Sequence, residues 1–237
     1  MKTRTFLLSV ITLTLVFFTS GCKKWSETDS GSLMIVSNKG GLTLAYDTTS
    51  GVRLVTSGGF AFKDLNRNDR LDIYEDWRLT PEERARDLAS AMTVEQIAGL
   101  MLYSAHQAIP AGGTRFGSAT YNGKSFTESG ALPSDLSDQQ KKFLVDDNLR
   151  HVLVTSVQSP EVAAIWNNNV QSLCESIIPG IPANNSSDPR HQAVSTAEFN
   201  VGSARQISMW PGSLGLAASF DPSLVRQFGS IASREYR

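Results

Sequence analysis

Between residues 64 and 75 the chain sets an oxygen-bearing side chain at Asp64, Asn66, Asn68, Asp72 and Glu75, with the backbone carbonyl of Arg70 among them. Counted from Asp64, these fall at positions 1, 3, 5, 9 and 12, with Arg70 at 7. A hard divalent cation such as calcium gathers six to eight oxygens from a twelve-residue loop with that spacing, the last of them from a bidentate glutamate. The sixth position needs a positive φ and is usually glycine; here it is Asp69, and aspartate tolerates that conformation better than most residues. Three carboxylates predict weak affinity and a structural role for a bound Ca2+. A polar turn rich in Asp and Asn is the competing reading. The segment before it, Gly58-Gly59-Phe60-Ala61-Phe62, is not helical, so the loop alone is EF-hand-like.

The elements around this loop divide in two. Residues 33–63 read as a β-rich leader, with runs at Leu33-Met34-Ile35-Val36, Leu42-Thr43-Leu44 and Val52-Arg53-Leu54-Val55 separated by Asn- and Gly-rich turns. From Thr80 helices alternate with short apolar runs. Thr80-Pro81-Glu82-Glu83 opens a helix to about Met92 with an N-cap, a first-turn proline and acids. Thr93-Val94-Glu95-Gln96 is a second capping box, and Leu100 to Tyr103 reads as a short buried strand. Residues 112–130 form a Gly-rich surface loop, and Ser137 opens a helix to Asn148. His151 to Val157 is a β-branched strand, and Pro160 to Glu175 is helical. A strand through Ile181 to Ala183 follows, then a helix from near Pro222. Strands and helices in units of this size predict an α/β fold with parallel pairing and right-handed crossovers. A (β/α) barrel and an open doubly wound sheet both satisfy the pattern, and both put active groups at the C-terminal ends of strands.

The N-terminus carries Lys2 and Arg4, an uncharged run from Phe6 to Phe18, and then Thr19-Ser20-Gly21-Cys22. That run is too short to span a bilayer comfortably, and small residues before a cysteine predict a lipoprotein signal peptide over 1–21, with acylation at Cys22 and a tether over 22–32. An ordinary signal peptide with an incidental cysteine is the alternative. Either way the protein is expected to be exported, to the periplasm or to an outer-membrane anchor. Only Cys174 then remains, so no intrachain disulfide forms, and its helical neighbours make it a packed small hydrophobe. A net charge of −1 over 237 residues, with the signs interspersed, gives no electrostatic case for nucleic acid. The 41% hydrophobic content supports a globular core.

After the apolar stretch around 177–181 come Asp188-Pro189-Arg190-His191, Trp210-Pro211-Gly212, and Leu216-Ala217-Ala218-Ser219-Phe220-Asp221 leading into a helix that ends in Arg234-Glu235. In that order these steps resemble glycoside hydrolase family 3, the β-glucosidase-like enzymes, from about Thr80 to Arg237. The resemblance implies the N-terminal portion of a TIM-like (β/α)8 barrel, incomplete, over 80–237. It implies that Asp188 binds hydroxyls of the innermost sugar of an oligosaccharide or glycoside and that His191 lines the same region. An ionised carboxylate accepts two short hydrogen bonds from vicinal hydroxyls, which suits that role. The family has glycine after this histidine where the chain has Gln192. For Asp188 the bland alternative is a cap on the Pro189 turn, for His191 a loop histidine, and for Trp210 core packing. In the family a retaining nucleophile and an acid/base come from later sequence, so this chain alone is expected to be inactive. Two other readings stay open: a non-catalytic, calcium-stabilised carbohydrate-binding lipoprotein, and an unrelated doubly wound domain.

Overall fold

The computed structural model describes residues 23–111, 119–187 and 207–236. The leader is built from two small antiparallel units. Strands β1 (Trp25–Ser30), β2 (Leu33–Asn38) and β3 (Thr43–Asp47) form one sheet in that order, and β4 (Arg53–Ser57) pairs with β5 (Phe60–Asp64) in a hairpin. Gly58 and Gly59, at φ 61° and 87°, make the two-residue turn of that hairpin, where positive φ at both positions matches the twist of the strands. Asn38 joins the two units: its side chain accepts from the Ala61 amide (2.8 Å) and donates to the Ala61 carbonyl (3.3 Å). Trp77 stacks on Phe62 at 5.1 Å and donates its indole N–H to Ala61, closing the leader over its own core.

Strand β1 corrects the expected tether. Its sequence, WSETDS, is polar enough to read as a linker, yet it pairs along its whole length with β2, from Trp25 opposite Asn38 to Ser30 opposite Leu33. A neighbouring strand supplies the ladder that composition does not reveal. The signal peptide and Cys22 lie outside the described residues.

The second part carries a parallel sheet in the order β6 (Gln107–Ile109), β7 (His151–Val157), β8 (Asn184–Ser186), with helices in the connections, which establishes an α/β architecture. Helix α1 (Pro81–Ala91) starts from the Thr80/Glu83 capping box and α2 (Val94–Leu100) from the Thr93/Gln96 box, as their sequences predict. Helix α3 (Phe126–Ser129) is a single turn, α4 (Asp138–Val145) starts from a Ser137/Gln140 box, and α5 (Pro160–Ser176) fills the β7–β8 crossover. A five-residue α6 (Ser213–Ala217) precedes α7 (Pro222–Glu235), which Asp221 caps through the Ser223 and Leu224 amides. No helix among the described residues is long and apolar enough to cross a membrane.

Two strand expectations shift. Leu100 to Tyr103 is not a buried strand: the α2 capping box carries the helix through Leu100, Met101 is 84% exposed, and only Tyr103 bridges to His151. The edge strand forms instead at 107–109. Likewise residues 177–180 make a turn with Gly180 at φ 74°, and the strand expected over 181–183 begins at Asn184.

The core lies between this sheet and its helices. Leu144, Val152, Val170 and Cys174 are fully buried, and Trp166 packs among them while donating its indole N–H to Gln140 Oε1 at 3.2 Å. Trp166, Val170 and Cys174 are spaced i, i+4, i+8 along one stripe of α5. Burial pushes the Cys174 thiol above its ordinary pKa, with the Arg150 guanidinium only partly opposing it. A thiol that is both buried and protonated is inert. Cys174 is therefore expected to escape a maleimide reagent at neutral pH in native buffer and to react stoichiometrically once the chain is unfolded in guanidinium; rapid native labelling would show that this part of the core opens.

Candidate functional site

Two places carry the residue types that could do chemistry: the C-terminal edge of the parallel sheet and the loop over 64–75. At the sheet edge, β8 ends at Ser186, two positions before Asp188 in the sequence. Asp188 and His191 both lie outside the described residues. What the structure does show is how the strand leading to them is held.

Strand β8 is short and polar, Asn184-Asn185-Ser186, and pairs in parallel with His151, Val152 and Leu153 of β7. Helix α5 fixes it from behind with two amides. The Gln171 side chain clasps the Ala183 backbone, donating from Nε2 to the carbonyl (2.9 Å) and accepting the N–H at Oε1 (3.1 Å). One helical turn earlier Asn167 Oδ1 accepts from Asn185 Nδ2 at 2.7 Å. On the strand itself Ser186 Oγ hydrogen-bonds the Tyr103 hydroxyl, tying β8 to the chain entering β6. At the other end of the strands the buried Arg150 guanidinium donates to the Leu144, Leu149 and Ile181 carbonyls at 2.7, 2.8 and 2.9 Å. It thereby satisfies the end of α4 and the approach to β8 together. A one-residue slip of β8 would turn every side chain, and the chain beyond it, to the other face.

Sequence reasoning missed Gln171, Asn167 and Arg150. The run Asn167-Asn168-Asn169 inside an otherwise apolar helix was the available signal, because amides in a helix are favoured only where they find partners. Behind the strand ends, Val157, Trp166, Asn167, Asn185 and Ser186 line a cavity of about 480 Å³. Trp210 packs its ring on Phe228 of α7 at 5.4 Å and donates to Ser208, so it is a packing residue. His151 sits at the entrance of β7, 3.4 Å from the Asn184 amide, a structural position.

The loop over 64–75 is held together by its own carboxylates. Asp69, at the sixth position, takes φ 61°. The fully buried Asp64 carboxylate accepts the Asn68 and Asp69 amides, both at 3.0 Å. Glu75 reaches back from the far end to accept the Leu65 (2.7 Å), Asn66 (3.3 Å) and Asp72 (3.1 Å) amides. The Asn66 and Asn68 side-chain nitrogens both donate to Asp72 Oδ2, at 2.6 and 2.7 Å. No group of three or more acidic, His or Cys side chains converges as metal ligands among the described residues. The charge is nonetheless unbalanced: among the described residues no salt bridge reaches Asp64, Asp72 or Glu75. Burial holds the Glu75 carboxyl above its ordinary pKa even against the amides it accepts.

No protein-family model matches the chain. It is similar to a periplasmic β-glucosidase/β-xylosidase of Dickeya chrysanthemi, 39% identical over 191 residues, which are 80% of this chain and 26% of that protein. It is also similar to β-glucosidase C of Emericella nidulans (34% over 182 residues; 73% of this chain, 25% of that one). A probable β-glucosidase C of Aspergillus oryzae is 30% identical over 174 residues, 72% of this chain and 24% of that one. The chain spans about a quarter of the length of the curated relatives it matches.

The Gln171 clasp makes a direct expectation. Gln171→Met keeps the side chain's length and removes both hydrogen bonds, so the Ala183 amide should exchange with deuterium about tenfold faster, for a loss of roughly 1–3 kcal/mol of local stability. Unchanged exchange at Ala183 would mean that β8 is held by β7 alone.

Proposed function

The chain belongs with the β-glucosidase-like enzymes of glycoside hydrolase family 3, and on that premise we propose that it forms the N-terminal part of an exo-acting glycosidase that hydrolyses O-glycosyl bonds with retention. The observation that carries this reading is the identity of 39% over 80% of the chain with a protein named as a β-glucosidase/β-xylosidase. Asp188, just past β8, and His191 bind the sugar in the innermost subsite. The Asp188 carboxylate accepts hydrogen bonds from two adjacent hydroxyls, and the amides of α5 hold the strand from which it departs. Double displacement needs two carboxyl groups about 5–5.5 Å apart, one the nucleophile and one the acid/base. In this proposal both come from polypeptide outside the chain, and closure of the eight-stranded barrel comes from there too.

The 237-residue chain is then expected to give no turnover of aryl β-glucosides. Calorimetric titration with glucose should show weak binding that falls about 10- to 100-fold in Asp188→Ala, the loss of a charged hydrogen-bonding partner being worth about 1.5–3 kcal/mol. Turnover by the chain that disappears in Asp188→Ala would overturn the division of labour, because the chemistry would then reside here. Binding without turnover in a protein that has no later segments would favour the carbohydrate-binding lipoprotein instead.

The loop is proposed to hold a structural calcium ion through the side chains of Asp64, Asn66, Asn68, Asp72 and Glu75 and the carbonyl of Arg70. Every donor is an oxygen, which suits a hard cation, and the buried Asp64 and Glu75 carboxylates are costly to keep without a cationic partner. Export and a lipid anchor at Cys22 complete the reading; the bacterial relative is itself named periplasmic. Calorimetry should show calcium uptake with Kd in the range of about 10⁻⁴–10⁻³ M, weakened at least tenfold in Glu75→Gln. A chain that takes up no calcium and whose melting temperature ignores it would remove the metal from the proposal.

A further inference from the structure

The twelve-residue loop has a second face. Along its first half the even-numbered residues Asp64, Asn66 and Asn68 carry the oxygens of the proposed cation site, while Leu65 and Arg67, with Lys63 just before the loop, reach the last turn of α5 and the turn that follows it. Lys63 Nζ pairs with the Glu175 carboxylate. The other oxygen of that carboxylate accepts the Asp47 amide at 3.2 Å. Leu65 lies so close to Gly180 that a Cβ there would sit 2.9 Å from its side chain. Arg67 Nη2 donates to the carbonyl of Ser176, the last residue of α5, at 2.7 Å, and to the carbonyl of Ser50 in the β3–β4 turn at 2.8 Å. Gly51, at φ 81°, lets that turn approach the guanidinium, its Cβ position lying 3.3 Å away.

Helix α5 has no basic residue of its own in its last turn. Its unpaired carbonyls and the negative end of its dipole call for a cation and donors. The last leader residue, Lys63, and Arg67 of the loop supply both. Arg67 does this from φ 62°, a left-handed conformation that costs an arginine free energy and persists where the surroundings over-determine it. Its neighbours on either side, Asn66 and Asn68, are two of the proposed ion ligands. An ion that fixes both of them fixes the backbone of Arg67 between them.

We propose that calcium in this loop acts as a coupling element. Occupancy of the even-numbered face holds Arg67 in its left-handed conformation, and Arg67 in turn closes the C-terminal end of α5 and docks the β-rich leader against it. The inference rests on the calcium reading above and adds a consequence that the reading does not contain: the last turn of α5, and not just the loop, responds to the metal. Since α5 runs from the C-terminal end of β7 back to the start of β8, that turn lies at the end of the sheet opposite the sugar-binding edge.

The test is hydrogen–deuterium exchange of the full 237-residue chain in calcium chloride and in EGTA, with calcium uptake measured separately by calorimetry. In the wild type, amides over 172–177 should exchange about tenfold more slowly with calcium. In Arg67→Ala calcium uptake should persist within a few-fold while the response over 172–177 disappears, and Arg67→Lys, which keeps the charge without the fork, should restore part of it. Calcium uptake with unchanged exchange over 172–177 in the wild type would overturn the coupling even if neither variant folds. A full response in Arg67→Ala would overturn the role of Arg67. Absence of uptake by the wild type would instead sink the calcium reading, and the coupling with it, by a separate signal.

Discussion

Helix α5 is the constraint on which the other parts depend, because each of its faces does something different and none can shift independently. Its apolar stripe of Trp166, Val170 and Cys174 buries itself behind β7. Its amide stripe of Asn167 and Gln171 holds β8 in register. Its C-terminal turn receives Lys63 from the leader and Arg67 from the loop that follows it. A rotation of the helix by a few tens of degrees to relieve strain at one of these faces would break the other two. Interiors packed at near-crystalline density give no soft direction in which such a compromise could be found.

This arrangement separates two kinds of work along the strand direction. The C-terminal edge of the sheet is where the chain proceeds to Asp188, with amides in place to fix its approach. The opposite end is where the leader, the acidic loop and the end of α5 meet, and every interaction there closes a helix end, neutralises a charge or joins two units. In parallel α/β folds residues at the first kind of edge serve ligands and those at the second serve stability. The likeness to β-glucosidases is consistent with that division, and the proposed metal falls on the stabilising side.

Much of this was legible in the sequence where local chemistry decides local structure. Thr80, Thr93 and Ser137 each stand three residues before a Glu or Gln, and each begins a helix with reciprocal capping bonds. The alternation over 151–157 gave β7 to the residue, and the demand for positive φ at Asp69 was met. What failed depended on partners distant in sequence. Strand β1 owes its existence to β2, and β8 owes its place to Gln171 and Asn167; neither has the composition of a strand. Leu100 to Tyr103 has that composition and is not one, because the helix begun at Thr93 claims its first residue. Lys63, Leu65 and Arg67 carried no motif, so their convergence on α5 and the turn after it could emerge only from the fold.

The early start of β1 also bears on how the protein would sit in a cell envelope. Lys24 is already pinned through both of its backbone polar groups, donating to the Gly59 carbonyl at 2.8 Å and accepting from the Lys39 amide at 2.7 Å. An acyl group on Cys22 would therefore hang from a leash of two residues, about 7 Å when fully stretched, in place of the tether over 22–32 that composition suggests. On so short a leash the body could neither tumble freely nor stand off from the lipid headgroups. It would ride with its leader close to the bilayer surface.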